Sequence, residues 1–189
     1  DFDERYFGPE HVTENRRRYD SFVDIATEYL EALVARCDAL GAFRDTIFVF
    51  MTDHGCGIGE KPGEKAYGIF TYDYTIRTWA YFIQPDVLPG GREITTMVRT
   101  IDIAPTLLEL CDIVPREGEK EMQGESLLPL MRGEGGIHRE IYVETAGLDG
   151  PTPSPYEANI FCVRNRRWKM IYNATTKILA ALHETIATG

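Results

Sequence analysis

The stretch Thr46 to Gly55, reading TIFVFMTDHG, constrains this chain more than any other. From Thr46 to Met51 every residue is apolar, aromatic or β-branched and none is charged. A short run of this kind predicts a strand buried on both faces, as in a parallel sheet. Asp53 and His54 follow at once, and Gly55 lets the backbone turn away. In open parallel sheets ligands sit beyond the carboxyl ends of the strands. A carboxylate and an imidazole placed there are candidate metal ligands. Adjacent side chains on an extended strand point to opposite faces; a turn that starts at Asp53 removes that objection. A strand-ending Asp followed by a surface His accounts equally well for these residues taken alone.

The flanks supply α/β grammar. Phe22, Ile25, Ala26, Tyr29, Leu30, Leu33, Val34 and Cys37 recur at helical spacing, which predicts one helix over Tyr19–Leu40 with Gly41 as the left-handed residue after its end. Residues 56–65 hold glycines and Pro62 and form a loop, either a lid or a plain connection. Its spacing does not match a phosphate-binding GxxxxGK[ST] loop. Residues 78–83 form a second strand candidate, and Val98 to Cys111 ends in a short helix in which Asp102 caps and Pro105 fits the first turn. That role makes Asp102 structural. Gly124 to Met131 is a short helical or turn element ending at Gly133.

Residues 139–145 alternate like a strand, and 160–164 with 168–172 read as an antiparallel hairpin around Asn165. Ile178, Leu179, Leu182 and Ile186 predict a last helix over 176–186. The expected fold is α/β: a mainly parallel sheet flanked by helices, with a small antiparallel C-terminal unit. It divides into an α/β part over 1–135 and a hairpin-and-helix part over 136–189.

The 189 residues suffice for one domain with a sizeable core. Thirty acidic residues against twenty basic give a net charge of −10, which argues against nucleic acid or an anionic membrane as the main partner. An anionic substrate stays open, because a bound divalent cation inverts the local field. No apolar run approaches the roughly 20 residues that span a bilayer. Cys37, Cys56, Cys111 and Cys162 show no CxxC spacing, so zinc-finger readings fail. Isolated thiols are the expectation, with one disulfide left open.

Several blocks, in order, resemble the C-terminal part of a sulfatase, in the alkaline-phosphatase-like superfamily. Asp45 to Gly55 resembles that family's D-N-T-hydrophobic-S/T-D-H-G block, and Tyr72 to Arg77 its Y-E-x-x-hydrophobic-R block. Ile101 to Leu108 (IDIAPTLL) resembles its D-hydrophobic-A-P-T-hydrophobic-L block, and Gly124 to Leu130 its G-x-S-L-L-P-L block. Val163-Arg164 with Trp168-Lys169 resembles a late V-R-x-x-x-W/Y-K strand pair. The resemblance spans roughly residues 19–172.

It implies an alkaline-phosphatase-like fold and hydrolysis of sulfate esters, with Asp53 and His54 at two positions of a divalent-metal site. The implied ion is calcium first, with magnesium, zinc or manganese as alternatives. An imidazole suits zinc or manganese better than calcium, and sulfatases often carry an amide at the second position, so His54 leaves the metal open. The family nucleophile, a Cys or Ser within C/S-x-P-x-R, has no counterpart here, nor has the N-terminal Asp-Asp metal pair. The chain is therefore expected to be a fragment that supplies metal ligands and is inactive alone, without bearing on compartment. Gly68 and Tyr67 stand where relatives place a basic residue ahead of Tyr72, which leaves Lys61 and Lys65 as weak catalytic candidates. The rival expectations are a metal-dependent phosphoesterase or phosphotransferase of the same superfamily, and a degenerate non-catalytic domain.

Overall fold

A computed structural model describes residues 8–61, 71–116, 121–135, 140–145, 160–174 and the backbone of 178–184. Lys65, the second half of the glycine-rich loop and the proline-rich 147–155 lie outside the described residues.

Helix α1 spans Val12–Ala39 and starts seven residues earlier than its apolar spacing predicts. It ends where expected. Gly41 takes φ 65° and donates its N–H to Asp38 O at 2.8 Å, because a residue without Cβ enters the left-handed region freely. No residue of α1 is buried. The apolar stripe predicted to pack inward is open, with Phe22 71% and Tyr29 75% exposed. The helix is tied near its ends: Asn15 donates to Ile58 O at 3.0 Å, and a 3₁₀ turn at Ala42–Arg44 leads on to the first strand, with Gln84 donating to Arg44 O.

Among the described residues strand β1, Phe48–Met51, pairs only with β2, Ala80–Ile83, and the pair is antiparallel, with Phe48 opposite Ile83 and Met51 opposite Ala80. The expected mainly parallel sheet is therefore not what the described residues form. The cause is connectivity. The chain leaves β1 at its carboxyl end and re-enters the ladder at that same end, where Thr52 N donates to Trp79 O; a parallel neighbour needs a crossover to the opposite end. With one partner strand, Val49 and Phe50 are half-buried rather than buried.

Between the two strands lies α2, Asp73–Ile76. After β2 come a 3₁₀ turn at Thr100–Asp102, then α3, Ile103–Leu110, and α4, Leu128–Arg132, which stops at Gly133 with φ 88°. Leu88, Leu127, Leu128, Leu130 and Met131 form one core cluster, against which Phe82, Ile94 and Leu110 pack. Asp102 underpins it, fully buried. Its carboxylate accepts the Arg99 backbone N–H and guanidinium, each at 2.8 Å, and the Glu125 N–H at 3.0 Å.

The C-terminal unit is one antiparallel sheet in the order β3 (Ile141–Thr145), β4 (Ile160–Arg164), β5 (Trp168–Asn173), β6 (Ile178–Glu184). The Asn165 side chain closes the β4–β5 turn by accepting the N–H groups of Arg167 and Trp168. The helix expected over 176–186 is instead strand β6, paired to β5 with an irregularity at Ile171/Tyr172. Ile178, Ala180, Leu182 and Glu184 also read at period two, and the free edge of β5 decides between the periods. The buried face of the sheet carries Ile160, Cys162 and Ile171, and Tyr72, Ile76 and Val143 pack against it.

Candidate metal half-site

Beyond Met51 the chain bends out of the ladder at Asp53, and both candidate ligands turn to one side. Asp53 Oδ1 accepts the His54 backbone N–H at 2.8 Å, and Asp53 Oδ2 lies 3.7 Å from His54 Nε2. The His54 ring sits 2.6 Å from Gly55 O through Nδ1. A carbonyl only accepts, so Nδ1 carries a proton, and Nε2 faces the carboxylate. A ring N–H held by a carbonyl while the other nitrogen is free is the arrangement metal-binding histidines use. The side chains are 87% exposed for Asp53 and 46% for His54, so both are within reach of an ion.

The donor chemistry thus fits a divalent cation, with one oxygen and one nitrogen side by side. It does not fill a shell, since zinc takes about four ligands and calcium about 6–8. Among the described residues no group of three or more His, Cys, Asp or Glu is placed to hold a metal.

Gly55 does not bend the chain by a left-handed φ, as its sequence position suggests; no positive φ occurs there. It permits a close approach. Its N–H donates to Thr75 O in α2 at 2.7 Å, and a Cβ would run into the Tyr74 carbonyl oxygen. The loop that follows is anchored rather than free over residues 56–61: Ile58 is buried, its N–H is accepted by Glu60 at 2.8 Å, and Glu60 pairs with Arg16 of α1 at 3.7 Å. Lys61 holds its ammonium over the Tyr72 ring, 5.7 Å from the centroid. Asp53 and His54 are thus brought together, Lys61 is placed on Tyr72, and Lys65 is outside the described residues.

One ionic cluster had no assigned role in the sequence reading. Asp73, the first residue of α2, accepts from Lys169 Nζ at 2.6 Å and Arg164 Nη1 at 3.0 Å. Burial alone would raise the Asp73 carboxyl. The Lys169 hydrogen bond and the charges of Lys169, Arg164 and Arg77 outweigh it and hold the group below the ordinary carboxylate value. Burial pushes the Cys162 thiol up, so this sulfur is no ready nucleophile. All four cysteines are free. The available signal was that Arg164 and Lys169 stand at the two ends of one hairpin turn, which puts two cations on one face.

The sulfatase family profile matches residues 2–113, and the profile for the C-terminal region of N-sulphoglucosamine sulphohydrolase matches residues 66–184. Choline-sulfatase of Rhizobium meliloti (strain 1021) is 25% identical over 165 residues, which is 87% of this chain and 30% of that protein. Mouse (Mus musculus) steryl-sulfatase is 27% identical over 114 residues, 54% of this chain and 18% of the relative. Among solved structures, a 2-O GAG sulfatase superposes with TM-score 0.73 at 21% identity, over 96% of this chain and 38% of the other. A protein solved with its substrate D-glucosamine-2-N,6-O-disulfate gives 0.65 at 20% identity, over 83% and 31%. This chain therefore spans between 18% and 38% of the length of these relatives. No described helix is long and apolar enough to cross a membrane. With more than half its length matched by the family profile, this chain belongs to the sulfatase family.

Proposed function

We propose that this chain is the C-terminal portion of a metal-dependent sulfuric ester hydrolase and that it carries two ligands of the metal site without the nucleophile. The observation that carries this reading is the convergence of Asp53 Oδ2 and His54 Nε2 at 3.7 Å, with Nδ1 turned to the Gly55 carbonyl, at the carboxyl end of β1. When bound, the ion supplies Lewis-acid stabilisation of charge developing on the sulfuryl oxygens. Asp53 and His54 hold it; the Gly55 carbonyl fixes the imidazole tautomer; the remaining ligands and the nucleophile come from sequence outside this chain. The ion is calcium, with zinc, manganese and magnesium as the competitors that His54 keeps open.

In the longer protein β1 lies inside a mainly parallel sheet, and 1–135 and 136–189 act as an α/β part and an antiparallel C-terminal part. Two facts support this. The apolar stripe of α1 and the half-buried β1 have more apolar surface than the described residues cover, and the relatives are about three times as long as their match here. A second reading, a metal phosphoesterase, draws on the nitrogen donor at His54, which suits zinc or manganese.

The test is to express the longest native polypeptide that contains this chain and assay aryl sulfate against aryl phosphate esters with each of the four metals. Metal-dependent sulfate release, abolished by Asp53→Ala, is expected. Phosphate release alone overturns the sulfatase reading in favour of the phosphoesterase. Turnover by the 189-residue chain alone overturns the missing-nucleophile part.

A further inference from the structure

Two attachments meet on the four residues of α2. From the sheet, Lys169 and Arg164 grip Asp73. They face each other directly in the β4–β5 register and so project from one face. Lys169 is only 5% exposed, and an ammonium withdrawn from water needs its carboxylate. Tyr72 and Ile76, on either side, pack on the same face. From the metal half-site, the Gly55 N–H is held by Thr75 O, and no side chain larger than hydrogen fits at Gly55 against the Tyr74 carbonyl. A single helical turn does not hold itself in place. These two attachments set where it lies.

We propose that Asp73 is a positioning residue for the metal ligands: with Lys169 and Arg164 it docks α2 on the C-terminal sheet, and α2, through Gly55, sets the turn that presents Asp53 and His54. The effect passes through backbone, since the carboxylate of Asp73 is engaged by Lys169 and Arg164. The proposal rests on the reading of Asp53 and His54 as ligands. It makes a hairpin, β4 and β5, more than 100 residues downstream of the half-site part of its geometry.

The experiment measures calcium and manganese dissociation constants by titration calorimetry, with melting temperatures alongside, on the longest native polypeptide containing this chain. The variants are Asp53→Ala, Asp73→Asn, Asp73→Glu, Arg164→Gln, Gly55→Ala and the double variant Asp73→Asn/Gly55→Ala. Asp73→Asn should weaken metal binding about tenfold or more, the range for partners that orient ligands. Asp73→Glu, which keeps the charge, should recover most of that loss. Arg164→Gln removes one donor and leaves the Lys169 pair, so it should fold and fall between. Gly55→Ala should weaken binding similarly, and the double variant by less than the product of the two, because both act through α2.

A merely structural role predicts lower melting temperatures with unchanged dissociation constants for Asp73→Asn and Arg164→Gln, and that result overturns the proposal. Fully multiplicative effects in the double variant overturn the shared route. If wild type binds metal and Asp53→Ala binds it equally well, the ligand reading itself fails, which is a separate outcome from a failure at Asp73.

Discussion

Asp102→Ala is the substitution with the largest expected cost to this fold. The carboxylate is fully buried and accepts from four N–H groups within 3.2 Å: the Arg99 backbone, Arg99 Nε and Nη2, and the Glu125 backbone. Its own carbonyl accepts the Thr106 hydroxyl, whose oxygen in turn accepts the Leu127 N–H at 2.9 Å. The carboxylate therefore ties the 3₁₀ turn before α3 to the segment that leads into α4. Alanine leaves two backbone donors unmet and strips a guanidinium that is 80% covered of its nearest anion, leaving it the exposed Glu125 carboxylate at 3.7 Å. Breaking a buried ion pair by removing one partner costs about 3–5 kcal/mol. For a chain of this size that corresponds to a melting temperature lower by roughly 6–20 °C. Asp102→Asn keeps the shape and one acceptor oxygen but loses the charge, so about 1.5–3 kcal/mol is expected. Urea denaturation followed by circular dichroism reads both. A loss below about 1 kcal/mol for Asp102→Ala, with an unchanged denaturant slope, would refute the reasoning.

Asp53→Ala removes a side chain that is almost wholly in water, so it should move the melting temperature by no more than about 1–2 °C; a larger drop would mean that the aspartate holds the fold rather than a ligand. Phe50→Ala in this chain should cost roughly 1–2 kcal/mol, since the ring is only half-buried. In a longer polypeptide that covers β1 on both faces the same change should cost about 3–5 kcal/mol, and equal losses in the two would argue against the parallel sheet proposed above. The Asp73 carboxyl sits below its unfolded value of about 3.9. Its contribution to stability is therefore present above that value and fades as pH falls through the lower folded value. Wild type and Asp73→Asn should differ in stability at pH 7 and converge in acid titrations as the pH falls below the lowered Asp73 value; a constant gap would show that the ion pair contributes nothing that titrates.

Local features were legible wherever one residue type has one physical use. Gly41 ends its helix in the left-handed region as expected and Gly133 stands where its element was expected to end, Asn165 closes the hairpin, and Asp53-His54 marks the end of β1. What was not legible depends on distant partners. Strand β6 was misread as a helix because its apolar residues satisfy both periods and only the edge of β5 chooses. The role of Asp73 was hidden because its partners lie 91 and 96 residues away. Burial of β1 was overestimated because the apolar run records how much cover a strand needs, and the described residues supply one neighbour. Gly55 was placed correctly for the wrong cause: a near approach of two backbones leaves no periodic trace.

Helix α1 extends about 42 Å at 1.5 Å per residue, yet among the described residues its fastenings lie at its two ends, at Asn15 and Arg16 and at the turn around Gly41. The span between them behaves as a bridge held at its abutments. A segment with little buried area opens locally at low free-energy cost, so its middle should be where chymotrypsin first cuts, after Phe22 or Tyr29 rather than within the C-terminal sheet. Storage, purification and crystallisation of this chain then turn on that span, because Phe22, Ile25, Tyr29 and Leu33 are already exposed there and each opening adds an unfolded backbone beside them, the combination that seeds aggregation.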